Sequence, residues 1–155
     1  MFFIDDTQAS RHAKIRAFDD DQIMIAVLLA AADFEWTVRR AIIGLGHAPN
    51  KYIRDVTLKN CSGLKSYKAA WNEQVRARHH IRLADVVPNW QFFKEQAYPL
   101  RHRLIHGAQG TTGIDYAKTR IDSMLGASTS VADFALSKDV NIYSRLPVRR
   151  KHINV

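Results

Sequence analysis

The chain has 155 residues, 46% of them hydrophobic, and carries a net charge of +8 with a single cysteine. A domain of this size buries roughly 68–70% of the surface its unfolded chain exposes, so no disulfide or metal is needed to hold the core. Cys61 has no cysteine partner for a bridge or a zinc site, which suits a reducing compartment.

Met1 to Ile4 are followed at once by Asp5 and Asp6, without the basic stretch and long apolar stretch of a secretion signal. The longest apolar run, Ile23 to Ala32, spans ten residues. A bilayer crossing needs about 20. The expectation is a cytoplasmic protein with no membrane segment. Charge is unevenly placed: residues 1–35 carry seven acids against three Lys or Arg, and residues 36–155 carry eight against twenty. A basic surface of this kind attracts polyanions such as RNA.

In chain order, residues 6–18 are expected to form a short amphipathic helix. The strongest helical signal runs from Asp21 to Gly46, where Ile23, Val27, Ala30, Phe34, Val38, Ala41 and Leu45 recur every three or four residues. Asp19, Asp20 and Asp21 are candidate caps at its start. Gly44, Gly46 and Pro49 end it. Short helices are expected over 52–60 and 67–83, the second with Tyr67, Trp71 and Val75 on one face.

Another strong helix spans Asn89 to His106 through Trp90, Phe93, Ala97, Leu100 and Leu104, with Asn89 and Gly107 as caps. Pro99 lies inside it and should bend or break it just before Arg101. Thr112 with Asp115 and Ser130 with Asp133 have capping-box spacing, for helices ending near Leu125 and Ser137. Residues 140–143 read as a small strand. Residues 145–155, with Arg145, Arg149, Arg150 and Lys151 and no acid, read as a mobile basic tail on a domain of residues 1–144. No repeat and no alternation of strands with helices is visible, so an all-α bundle is expected.

The chemistry-bearing stretch is Leu100-Arg101-His102-Arg103-Leu104-Ile105-His106-Gly107. Histidine titrates near neutrality and serves as base or acid. Arginine offers a permanent forked charge to phosphate oxygens. RNA transesterification needs both: a base for the 2′-hydroxyl and a cation for the phosphorane-like transition state. His106 is the candidate proton-transfer residue, Arg101 the candidate phosphate clamp, and His102 a candidate for orienting either. On an ideal helix, positions five apart lie about 140° apart, so Arg101 and His106 share a face only if the helix ends or bends between them. Glu35 and Arg39, four apart, are expected to pair with each other, with Glu35 supporting Arg101 as the alternative.

This stretch resembles the signature of the HEPN superfamily: an Arg, four to six residues, then a His, often with a polar residue after the Arg. The resemblance covers about eight residues in detail and the long early helix in architecture. It implies an HEPN-like antiparallel helical bundle with extra short helices. It also implies a homodimer whose motifs face each other across a cleft, and a metal-independent endoribonuclease without cofactor. Such proteins act as toxins or in antiphage defence, and a toxin of this kind implies an antitoxin or other regulatory partner. The alternative is a non-catalytic HEPN domain that binds RNA or nucleotides or acts as a dimeric adaptor.

Arg103, Arg76, Arg78, Arg149, Arg150 and Lys151 are candidate RNA contacts, although basic runs are usually a solvated face. His79 and His80 are adjacent, so on a helix they point about 100° apart and make a poor metal pair. No helix-turn-helix is recognisable, which argues against a DNA-binding module.

Overall fold

The computed structural model describes residues 7–107 and 113–155. The regular structure among those residues is entirely helical, with no strand. Helix α1 (Gln8–Arg16) is capped by the Thr7 hydroxyl, which accepts from the Ser10 N–H at 3.2 Å. A short 3₁₀ turn (Asp20–Gln22) leads into α2 (Ile23–Leu45), the spine of the fold. The apolar residues picked out by their spacing are all buried in α2. Short α3 (Asn50–Tyr52) continues as a π turn (Ile53–Thr57). Helix α4 (Leu64–Trp71) passes through a second π turn (Asn72–Arg76) into α5 (Ala77–His79). Then follow α6 (Leu83–Val86), α7 (Trp90–Phe92) with a third π turn (Phe93–Ala97), α8 (Tyr98–His106) and the long α9 (Ile114–Leu136).

Helices α2 and α9 form the central pair. Lys118 near the start of α9 pairs with Asp20 just before α2 at 2.9 Å, and Val140 just beyond α9 lies against Gly44 near the end of α2. The two helices therefore run the same way, which a pair of long helices achieves through a crossover connection. By contrast, Arg103 bonds Tyr116 and Arg120 bonds Gln96, so α8 and α9 run opposite ways. Of the antiparallel arrangement that the resemblance implies, α8 with α9 is an instance and the central pair is not. An aromatic cluster seats the α7–α8 segment on α2: the Phe34 ring lies 4.7 Å from Phe93 and 6.0 Å from Tyr98. Such pairs add about 0.5–1.5 kcal/mol beyond their buried area.

Several expected boundaries move, each for a physical reason. Residues expected as two short helices, to 125 and to 137, form one helix, because Ala127, Ser128 and Val131 are buried and Thr129 bonds back to the Leu125 carbonyl at 3.1 Å. The expected partner Thr112 lies outside the described residues, as do Asp5, Asp6 and the other residues of 1–6. The helix expected to 83 stops at His80, whose φ of 56° is left-handed. Residues 140–143 form no strand; Val140 and Ile142 alternate because both pack into the core. Asp19 makes no side-chain capping bond, nor does Asn89. In place of a bend or break just before Arg101, the α pattern is interrupted by the π turn at Phe93–Ala97 and resumes with Pro99 in the first turn of α8. No described helix is long and apolar enough to cross a membrane.

Candidate active site

Helix α8 holds the motif. Its buried residues Tyr98 and Leu100 fix it against the core, and His102, Arg103, Ile105 and His106 are exposed on its outer side. At 100° per residue, His106 lies about 40° from His102 and about 60° from Arg103 around the helix, but about 140° from Arg101. No bend intervenes between Arg101 and His106. Within one chain the two leading residues therefore sit on different sides of α8.

Arg101 faces α2. Its Nε lies 3.5 Å from Glu35 Oε1, and the same oxygen accepts a 2.5 Å hydrogen bond from the Tyr98 hydroxyl. Burial of Tyr98 and its bond to the carboxylate push that phenol well above its ordinary pKa, so it remains a proton donor to Glu35. The expected Glu35–Arg39 pair does not form. Arg39 instead reaches Tyr67, with its Nη1 3.4 Å from the phenol oxygen. The physical reason is that packing of α8 brings a guanidinium to Glu35 from outside its own helix.

His106 and His102 form the second half of the site. Their rings are 4.6 Å apart, one turn apart on the exposed face. Beside them, Arg103 Nη2 donates to the Tyr116 hydroxyl at 2.9 Å. Arg120 lies over the Tyr116 ring, donates through Nη1 to the Tyr116 carbonyl at 3.0 Å and through Nη2 to Gln96 Oε1 at 3.1 Å, and is 7% exposed. Burial acts to raise the Tyr116 pKa, but the Arg103 bond and the charges of Arg103 and Arg120 outweigh it and hold the phenol below its ordinary value. Tyr98, Tyr116 and Arg120 were not singled out in the sequence. The i, i+4 spacing of Tyr116 and Arg120 is the one local signal that could have found the last two.

The remaining basic candidates divide. Arg76, Arg150 and Lys151 are exposed. Arg78 and Arg149 are engaged with the end of α2. Arg149 donates to the carbonyls of Ala48 (3.1 Å), Gly44 (2.8 Å) and Ile43 (2.6 Å), and Arg78 to those of Leu45 (3.2 Å) and Gly46 (3.4 Å). These cations satisfy carbonyls left open at a helix C-terminus and oppose its negative end. The tail expected as mobile is anchored there. Asn50 bonds Pro147 and Arg149, and the Ile153 N–H reaches the His47 carbonyl at 2.8 Å.

A buried charged cluster occupies the junction of α1 and α2 and was also not singled out. Asp33, Arg11 and His12 are all buried; Asp33 accepts from Arg11 and lies 3.0 Å from His12 Nε2. The Arg11 guanidinium sits 4.0 Å from the Trp36 ring centroid. Burial alone would raise the Asp33 pKa, but the His12 bond and the Arg11 charge reverse that and lower it. Asp33 and Glu35 are two apart on α2 and point to opposite sides, so this cluster is separate from α8.

Against known proteins, no family model matches the chain, and neither a curated protein nor a solved structure is significantly similar to it.

Proposed function

We propose that this chain is an HEPN-type endoribonuclease that cleaves RNA by attack of the 2′-hydroxyl, without a metal, as a toxin or defence effector. The observation that carries the reading is the exposed His102–His106 pair at the end of α8, with guanidinium groups on both flanks: Arg101 anchored by Glu35, Arg103 anchored by Tyr116. His106 takes the 2′-hydroxyl proton, and arginine stabilises the charge that develops on phosphorus.

Because Arg101 and His106 sit on different sides of one helix, the complete site requires a second copy. In a two-fold dimer, Arg101 of one chain faces His106 of the other across the scissile phosphate. Arg76, Arg150 and Lys151 extend the cationic surface for the RNA backbone.

The test is degradation of single-stranded RNA by purified protein in EDTA, with product ends analysed for 2′,3′-cyclic phosphate. His106→Ala and Arg101→Ala should abolish cleavage and leave the helical circular dichroism spectrum intact. Equal cleavage by the wild type and both variants would refute the assignment. Tight RNA binding without products would favour the non-catalytic alternative.

A further inference from the structure

The groups that share His106's side of α8 within one chain are His102 and Arg103, and Arg103 leads to Tyr116. The cleavage needs a proton donor for the leaving oxygen as well as the base assigned to His106. Tyr116 offers such a donor. Its hydroxyl is 2.9 Å from Arg103 Nη2, its ring lies under Arg120, and its side chain reaches solvent. Among the described residues, neither arginine is in a salt bridge. Arg120 is almost fully buried and its Nε has no hydrogen-bond partner among the described residues. Two guanidinium charges thus converge on one phenol with no carboxylate among the described residues paired to either, an arrangement complementary to a phenolate.

We propose that Tyr116 is the general acid of the cleavage, giving its hydroxyl proton to the departing 5′-oxygen. The proposal rests on the nuclease reading and adds a catalytic residue to it. The 2′-hydroxyl gives its proton to His106 as the 2′-oxygen–phosphorus bond forms. The bond from phosphorus to the 5′-oxygen breaks, and that oxygen takes the proton of Tyr116. The phenolate left behind is held by Arg103 and Arg120 and regains a proton from solvent, to which His106 releases its own. The lowered pKa of Tyr116 fits this role, since an acid works best when its pKa approaches the working pH.

The experiment compares two substrates with Tyr116→Phe, which keeps the ring and removes only the transferable proton. On an oligoribonucleotide, whose leaving alkoxide must be protonated, the variant should be slower by about 10²-fold or more, the usual size of a general-acid contribution. On uridine 3′-(para-nitrophenyl phosphate), whose nitrophenolate leaves unprotonated, it should remain close to wild type. Equal loss on both substrates would show a structural role and overturn the proposal, as would no loss on either. A wild type that cleaves neither substrate would instead remove the nuclease reading.

Ultraviolet difference titration gives a readout independent of turnover. One phenol should ionise below the others in the wild type, be missing in Tyr116→Phe, and move up in Arg103→Met. Absence of such a phenol would also overturn the assignment.

Discussion

The Glu35 carboxylate lies 3.5 Å from Arg101 Nε and leaves the two Nη groups of Arg101 without a hydrogen bond among the described residues. One edge of the guanidinium is held while its outer fork is available for phosphate oxygens. Arg101→Ala should therefore eliminate RNA cleavage while changing unfolding free energy by less than about 1 kcal/mol, as for other part-exposed ion pairs. Arg101→Lys should not restore it, because an ammonium lacks the planar fork. Glu35→Gln should weaken turnover less than Arg101→Ala, since it loosens the clamp without removing it. Turnover assays paired with urea denaturation check this. A large loss of stability in Arg101→Ala would mark the residue as structural.

The Asp33 cluster gives the opposite expectation. Asp33→Asn removes the buried carboxylate that Arg11 and His12 contact and should destabilise the fold by about 3–5 kcal/mol, the usual consequence of breaking a buried pair. That is a large part of the roughly 5–15 kcal/mol a domain has. The same carboxylate sets an acid limit. Its ordinary pKa of 3.8 is lowered in the fold, so its stabilisation is present above that value and is lost as pH falls through the lowered one. Urea midpoints followed from neutrality to acid should fall below about pH 4 in the wild type, by linkage. The fall should be shallower in Asp33→Asn.

Arg149 separates folding from binding. With its guanidinium engaged by three carbonyls at the end of α2, Arg149→Ala should lower stability by about 1.5–3 kcal/mol, the range for hydrogen bonds to a charged group. Arg150→Ala and Lys151→Ala, at exposed positions, should leave stability unchanged. If these residues touch RNA, each should reduce the slope of log affinity against log salt by about 0.7, the single-strand value. Calorimetry and salt-dependent fluorescence anisotropy distinguish the two behaviours. A reduced salt slope in Arg149→Ala without destabilisation would reverse the assignment.

These contrasts show which features were legible in the sequence. Helix α2 was, because a three- and four-residue apolar rhythm reports burial directly. So was the helix that carries Arg101 to His106, because Trp90, Phe93, Ala97 and Leu100 keep the same rhythm. The continuity of α9 was not: Gly126, Ser128, Thr129 and Ser130 have poor helix propensity, and the burial of Ala127, Ser128 and Val131 overrides it. Glu35 was matched to Arg39 because local spacing is visible in a sequence, whereas its contacts with Arg101 and Tyr98 depend on how α8 docks. Arg78 and Arg149 looked like RNA contacts for the same reason. An arginine that closes a helix end through tertiary bonds has the same composition as one that faces solvent.

The placement of Arg101 and His106 on different sides of α8 makes the two-copy site testable by mixing variants. Arg101→Ala and His106→Ala are each expected to be inactive as homodimers. If the site draws Arg101 from one chain and His106 from the other, a heterodimer retains one wild-type pair facing each other. Random exchange of subunits makes about half of all dimers heterodimers, so activity should reappear on mixing and rise with exchange time. Subunit exchange is followed independently by energy transfer between labelled chains. Exchange without recovered cleavage would show that the two residues act within one chain or not together, and the shared-site arrangement would fall. A sedimentation profile of a monomer at assay concentration, with wild-type cleavage undiminished, would remove it equally.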